Sequence, residues 1–220
     1  MFNQYCTYMK GIILKLFDLI TWLPVWLRWP AVRGKLGNVW HNLYASYIGH
    51  QLKRSGRIKL ASTHLHLCGL QHMEWGNEVE LHFHARVQCI DHYVQTSQTF
   101  TPRLILHDHV VVQAMCHIGC INHVEIGEWT TMGARCYITD HTHGGTTRQE
   151  LDLPPRHRPL FSKGPVIIGH HVHIGEGVCI MPGVTVGDHS VIGAGSVVTR
   201  SIPPYSIAVG SPAKVIKQIN

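Results

Sequence analysis

Aliphatic residues recur at intervals of six in the last third of the chain, a spacing that neither a helix nor an ordinary strand produces. The first position of each hexad is β-branched, at Ile168, Ile174, Ile180, Val186, Ile192 and Val198. Glycine takes the second position in four of these six hexads. Three hexads make a turn of about 18 residues, so the pattern predicts a three-sided prism with stacked, inward-facing first residues.

The same spacing extends upstream, which lengthens the predicted prism. First positions there are Leu106, Val112 and Ile118, then Ile126, Met132 and Ile138 after a two-residue irregularity, with a weaker trace from Trp75. Two polar segments interrupt the repeat, at residues 93–103 and 144–165. We expect the longer one to leave the prism as a protruding loop, and long loops on rigid scaffolds commonly carry function.

The N-terminal part lacks this repeat and suggests a division into two domains. We predict a mainly helical, apolar segment at 1–56 and an all-β, parallel β-helix at 57–220. Residues 11–29 are strongly apolar but include Lys15, Asp18 and Pro24, which argues against a membrane span. Their apolar face either packs on protein or rests peripherally on the inner face of a membrane.

Composition narrows the class of protein. The 220 residues carry a net charge of +6 and are 45% hydrophobic, as in a globular protein. The basic residues are scattered, with no nucleic-acid-binding motif, so we expect an anionic small molecule or acidic glycan and no nucleic acid. The seven cysteines form no CxxC pair. Cys116 and Cys136 fall at small, buried positions of the repeat, which favours reduced thiols in the cytoplasm.

The segments HIGCIN (117–122), ITDHTHGG (138–145) and VVTRSIPPYSIAVGSPAKVI (197–216) resemble the hexapeptide-repeat acyltransferases. The resemblance is strongest to galactoside and maltose acetyltransferases and to O-acetyltransferases of capsule, O-antigen and colanic acid synthesis. It implies left-handed winding, a homotrimer, and acetyl-CoA as co-substrate without a metal. It also implies transfer to a sugar hydroxyl, here in surface polysaccharide biosynthesis, with CoA bound by the end at residues 168–220.

In the family that this chain resembles, a histidine at the end of a coil, where the long loop departs, is the general base. Counting hexads places it at His143, the sixth residue of ITDHTH. A neutral imidazole can take the proton of an alcohol, which is otherwise a poor nucleophile near neutral pH. His141 is the second candidate, either as base or as substrate contact, because on one strand it would point the same way.

The resemblance also assigns binding residues. Gln113 stands where the family often has asparagine, His173 replaces a common tryptophan, and His117 on an adjacent coil is a third acceptor contact. A backbone N–H near Gly175 and Glu176 would stabilise the thioester oxygen. Further CoA contacts carried over from the family are the backbones of Ala194 and Thr199 and the cations Arg200, Lys214 and Lys217.

Three other functions fit parts of the sequence. A xenobiotic or amino-sugar acetyltransferase would share the same fold and donor. A γ-type carbonic anhydrase would use histidines across a subunit interface, but His117 and His123 have the wrong spacing for its paired ligands. A non-catalytic β-helix acting in assembly would neither bind CoA nor depend on His143.

Overall fold

The computed structural model describes residues 30–62, 64–145 and 147–219, with side chains from residue 39 onward. Helix α1 spans Pro30–Gly49, and proline suits its first position because an N–H there would have no helical partner. The apolar segment predicted at residues 11–29 lies outside the described residues.

The chain divides into two compact units, residues 1–40 and 41–220. The second unit includes the C-terminal part of α1. The physical reason is that Ala45 and Ile48 of α1 are buried in the hydrophobic core of this unit, so the end of the helix is part of it.

Beyond α1 the chain forms short strands in triplets. The first triplets are β1 (Arg54–Ser55), β2 (Ile58–Leu60) and β3 (His66–Cys68), then β4 (Met73–Trp75), β5 (Val79–Leu81) and β6 (Arg86–Cys89). A hairpin of β7 (His92–Tyr93) and β8 (Gln98–Thr99) follows. The next triplets are β9 (Arg103–Leu106), β10 (Val111–Val112) and β11 (His117–Cys120), then β12 (His123–Ile126), β13 (Thr131–Met132) and β14 (Tyr137–Thr139).

A second excursion contains β15 (Thr142–His143), helix α2 (Arg148–Leu151) and β16 (Leu160–Phe161). The repeat resumes with β17 (Val166–Ile168), β18 (His173–Ile174) and β19 (Cys179–Ile180), then β20 (Thr185–Val186), β21 (Val191–Ile192) and β22 (Val197–Val198). The described chain ends in an antiparallel hairpin of β23 (Ser206–Gly210) and β24 (Ala213–Gln218).

Equivalent strands of successive triplets pair side by side and make three faces. Face A has the order β1-β4-β9-β12-β17-β20, face B the order β2-β5-β10-β13-β18-β21-β23-β24, and face C the order β3-β6-β11-β14-β19-β22. Pairing is parallel except between β23 and β24. The observed architecture is thus mostly β with parallel sheets, as the six-residue spacing predicts.

The register of the paired strands stacks the predicted core residues on one another in columns. On face C, Ile118 pairs with Ile138, Ile138 with Ile180, and Ile180 with Val198. All of the predicted first positions from Trp75 onward are at most 1% exposed. The prediction of their inward orientation is therefore confirmed.

Glycine at the second position of the hexads allows successive turns to approach each other closely. A Cβ on Gly175 would lie 2.5 Å from the backbone nitrogen of Ala194, one turn away. Close approach of successive turns therefore excludes a side chain there. Positive φ occurs two residues later, at Gly177 and Gly195 and at the non-glycine residues His171 and His189.

Two further observations concern helix length and thiols. No helix in the described part of the chain is long and apolar enough to cross a membrane. Cys116 and Cys136 are both buried thiols within the core, in agreement with the packing role predicted for them.

Candidate functional site

A cluster of histidines lies where face C meets the second excursion. His117 projects outward from β11, in register with Tyr137 on β14, and the two rings contact edge to face with centroids 5.2 Å apart. Strand β14 ends at Thr139, and Asp140 and His141 follow in the turn before β15. The side chains of His117 and His141 therefore meet near the end of face C.

His141 is held in the turn by its two preceding residues. Its Nδ1 lies 3.0 Å from Oδ1 of Asp140 and 3.0 Å from Oγ1 of Thr139. Asp140 is fully buried and His141 is 8% exposed. The carboxylate of Asp140 also accepts hydrogen bonds from the backbone N–H groups of Ile121 and Asn122, with a shortest N–O distance of 2.8 Å.

The backbone at Gly119 leaves a hollow in front of His141. A Cβ at position 119 would lie 3.2 Å from Cε1 of His141, 3.4 Å from Oγ1 of Thr139 and 3.7 Å from Nε2 of His117. The missing side chain keeps open a small space bordered by two imidazoles and a hydroxyl. Such a space suits a polar group of a substrate.

His143 lies beyond this hollow, on β15. It is exposed, and its ring centroid is 6.5 Å from that of His141 and 5.8 Å from that of Tyr93. The two candidate bases are not on one strand, because the chain turns at Asp140 and His141 between β14 and β15. The two histidines therefore do not share a strand as expected: His141 is buried in the turn, and His143 is exposed on β15.

Burial and neighbouring charge affect protonation in the cluster. Burial, together with the charges of Arg86 and His141, lowers the pKa of His117 to about 4. Burial and His141 also lower the pKa of His143. Burial alone would raise the pKa of Asp140, but hydrogen bonds from His141 and two backbone amides lower it overall. Near pH 7 the site therefore presents neutral imidazoles at 117 and 143 beside an ionised carboxylate.

The two excursions contact each other beside the histidines. Strands β15 and β16 pair His143 with Leu160, and the backbone N–H of Leu160 donates to Oε1 of Gln98 at 2.7 Å. The hydroxyl of Tyr93 donates to the carbonyl of Arg156 at 2.7 Å. Both interruptions of the repeat thus form one wall of the cluster, which the sequence did not predict.

The remaining predicted site residues lie elsewhere on the same prism. Gln113, Gly175, Glu176 and Ala194 occupy the corner between faces B and C, whereas His141 lies in the corner between faces C and A. His173 is on β18 of face B. Thr199 and Arg200 follow β22, and Lys214 and Lys217 are on β24.

Within one chain, the predicted CoA-binding residues therefore do not lie next to the histidine cluster. The structure unites His117, His141 and His143, and separates them from Gly175 and its neighbours by the width of face C. A cavity of about 240 Å³ lies on face A, lined by Glu74, Arg103 and His107 among others, and does not include the cluster either.

Thr139, Asp140, Gly119 and Tyr93 were missed as site residues by sequence reasoning. A carboxylate directly before a candidate base is a usable signal, and ITDHTH contains one at Asp140. Gly119 gave no signal, because glycine is common throughout the repeat.

Comparison with known proteins agrees with this description. Residues 165–200 match the family model "Bacterial transferase hexapeptide (six repeats)". The chain is 39% identical over 121 residues to the Escherichia coli (strain K12) protein named "Putative lipopolysaccharide biosynthesis O-acetyl transferase WbbJ". This match covers 53% of the chain and spans 61% of that relative's length.

Two solved structures share the fold. AntD, an N-acyltransferase from Bacillus cereus in complex with dTDP and 3-hydroxybutyryl-CoA, has a TM-score of 0.64 at 18% identity, covering 80% of this chain and 87% of that one. The hexapeptide-repeat acetyltransferase VCA0836 from Vibrio cholerae has a TM-score of 0.52 at 18% identity, covering 87% and 92%. The chain thus carries the hexapeptide repeat of bacterial transferases, and the resemblance seen in its motifs is confirmed.

Proposed function

We propose that this protein is an acetyl-CoA-dependent O-acetyltransferase that acts on a sugar hydroxyl in surface polysaccharide biosynthesis. The observation that carries the proposal is the imidazole pair His141 and His143, placed where a hexapeptide prism releases its long loop. The similarity to WbbJ, named as a lipopolysaccharide biosynthesis O-acetyl transferase, supports the reaction and the acceptor class. Left-handed winding and a cytoplasmic location belong to the same proposal.

The chemistry requires one proton acceptor and one oxyanion site. An imidazole removes the proton of the sugar hydroxyl as its oxygen attacks the thioester carbonyl carbon. The tetrahedral centre then collapses, the carbon–sulfur bond breaks, and the imidazolium returns the proton to the CoA thiolate. His141 borders the hollow at Gly119, and the ring centroid of His143 lies 6.5 Å from that of His141. His143 is exposed and its lowered pKa keeps it neutral, whereas His141 is held by Asp140.

The donor would lie along the corner between faces B and C. A side chain built on Gly177 or on Gly195 would meet nothing within 4 Å, so there is room beside the backbone for the pantetheine arm. Gly175, Glu176, Ala194 and Thr199 would make backbone contacts, and Arg200, Lys214 and Lys217 would meet the phosphates.

The separation of the two half-sites supports the homotrimer that the family resemblance implies. The donor corner of one subunit would face the histidine corner of its neighbour, so that each site is completed by two chains. This arrangement supplies what a single prism lacks, since Gly175 and His141 lie in different corners of the same chain. Gln113 and His173 would then contribute to the acceptor pocket from the neighbouring subunit.

The decisive experiment measures thiol release from acetyl-CoA across nucleotide sugars, capsule fragments and amino sugars. We expect wild-type protein to acetylate a hydroxyl, and His141→Ala and His143→Ala to lose activity, with the larger loss of roughly 10²-fold or more at the base. CoA affinity should be preserved in both. His66→Ala is the matched control, because His66 is exposed on the same face at β3.

Other outcomes would identify the competing functions. Transfer only to an amine would indicate an amino-sugar N-acyltransferase. Wild-type turnover in both histidine variants would overturn the mechanism, and absence of CoA binding would favour an assembly role. Bound metal in the purified protein together with CO₂ hydration would indicate a carbonic anhydrase.

A further inference from the structure

Asp140 is a buried carboxylate that the proposed reaction does not yet use. It is 0% exposed, and its two oxygens accept from the backbone N–H groups of Ile121 and Asn122. Its Oδ1 also contacts Nδ1 of His141 at 3.0 Å. An ionised carboxylate only accepts hydrogen bonds, so Nδ1 must be the donor in this contact.

The hydroxyl of Thr139 is compatible with the same hydrogen position. Its hydroxyl donates to the carbonyl of His141 at 3.2 Å and accepts from the backbone N–H of His141 at 3.3 Å. With its proton on that carbonyl, Oγ1 can accept from Nδ1, which lies 3.0 Å away. The carboxylate of Asp140 thus requires an N–H at Nδ1 of His141, and the hydroxyl of Thr139 is compatible with it.

The other ring nitrogen is left for a substrate. Within the described residues, the hydrogen bonds of the His141 ring all involve Nδ1. The adjacent Cε1 borders the hollow at Gly119. An imidazole protonated at Nδ1 carries its lone pair on Nε2, which is the form that accepts a proton.

We propose that Asp140 is a positioning residue, which fixes the Nδ1–H tautomer of His141 and so makes Nε2 of His141 the proton acceptor of acetyl transfer. The inference rests on the proposed function and deepens it by choosing between the two candidate bases. His143, which has no carboxylate partner among the described residues, then contacts the acceptor. The sequence had favoured His143 as the base.

The other described groups that face His141 are uncharged near pH 7, so Asp140 is its anionic partner. Across the hollow, β11 contributes His117, which is neutral near pH 7 because its pKa is about 4. His143 faces it from β15 with a lowered pKa. Beneath Asp140, hydrogen bonding with Cys89, burial and the Asp140 charge raise the pKa of Cys120, so this neighbour is an uncharged thiol.

Replacement by asparagine tests the role sharply. The amides of Ile121 and Asn122 are fixed donors, so the side-chain oxygen of an asparagine would face them and its NH₂ group would face Nδ1. That group can only donate, which would favour the opposite tautomer, with hydrogen on Nε2. Asp140→Asn thus inverts the hydrogen bond while changing little in size.

The first measurement is ¹⁵N NMR of the full-length protein labelled at histidine, with His141 assigned by loss of its signals in His141→Ala. We expect wild-type His141 to be protonated at Nδ1, and Asp140→Asn to shift the population towards Nε2–H. Protonation of wild-type His141 at Nε2 would overturn the inference. This result needs no variant that folds poorly and no enzyme activity.

The second measurement is steady-state kinetics. We expect Asp140→Asn to lower kcat on the order of 10²-fold or more, with KM for both substrates nearly unchanged, because a wrong tautomer removes the base without removing binding contacts. Unchanged kcat in a folded Asp140→Asn protein would overturn the positioning role. No acetyl transfer by wild-type protein would overturn the proposed function, while the NMR result would still decide the tautomer.

Discussion

Two corners between faces C and A differ sharply although they occupy equivalent places in successive turns. After β19, the residues 181–184 connect directly to β20, with Gly183 at positive φ and Val184 buried. After β14, the residues 140–165 intervene before β17 and carry a buried carboxylate, two candidate bases and a short helix. The prism tolerates both connections without losing register.

The difference shows how structure and chemistry are divided in this protein. Strands β14 and β19 still pair in register, with Ile138 opposite Ile180, so the core does not depend on the length of the corner. The stacked strands on either side fix where the corner begins and ends. The added residues can therefore carry polar groups that a close-packed corner would exclude. This division of roles between core and corner can be tested by mutation.

Truncating a core side chain should cost the same stability beneath either corner. Ile138→Ala and Ile180→Ala each remove a fully buried side chain from the same column, and each should destabilise the protein by about 2–5 kcal/mol. Urea unfolding would measure the loss, with the outward-facing Cys179→Ala as control. A much smaller cost at Ile138 would show that the corner with the excursion has a separate, weaker core.

The long corner should be removable without losing the prism. Replacing residues 145–158 by Asn-Gly would close the hairpin between β15 and β16 with a two-residue turn. We expect catalytic efficiency towards the acceptor to fall roughly 10²-fold, because the wall beside the histidines is lost, while CoA affinity and melting behaviour change little. Thr147→Ala, which breaks only the capping box of α2, is the matched control for loop length.

Acid sensitivity should arise from His117 on β11. The pKa of His117 is about 4 in the folded protein and about 6.5 when unfolded, so between these values the unfolded state binds more protons. Stability should fall as pH falls from 6.5 to 4, by about 1–3 kcal/mol from this group. His117→Gln should flatten the pH dependence of urea unfolding, and an unchanged slope would contradict it.

Catalytic efficiency should be sensitive to a single methyl group added in the hollow. A Cβ at Gly119 would press on Cε1 of His141, so Gly119→Ala should lower efficiency towards the acceptor about tenfold, the effect of roughly 1.4 kcal/mol. Calorimetry should show unchanged CoA affinity. Gln88→Ala, at the register partner of Gly119 on β6, is the control, and an equal effect there would remove the hollow from the site.

Much of the fold was predictable because the same requirement, burial of the first residue of each hexad, repeats along the chain. Ile168, Ile174 and Ile180 each place a β-branched side chain inward, and the error in any one assignment is corrected by its neighbours. The hexad count carried less information at the site. It could not show that the strand ends at Thr139, because polar residues continue the apparent rhythm through ITDHTH.

Contacts between distant parts of the chain explain what the sequence missed at the site. Asp140 is satisfied by the amides of Ile121 and Asn122, about one turn upstream, and Tyr93 reaches the loop at Arg156. Neither partner is visible from local pattern. The same holds for Gly119, whose importance comes only from facing His141.

The sequence by itself determined the short repeating strands, their inward-facing core residues and the positions of both excursions. It also determined which histidines are candidate bases. Each of these follows from periodic burial or from a short motif. The tertiary structure decided which imidazole is buried beside a carboxylate and which is exposed, and which corner carries the cluster. Those outcomes depend on where the backbone turns and on groups brought in from neighbouring turns, and hydrogen bonding between such groups has no period in the sequence.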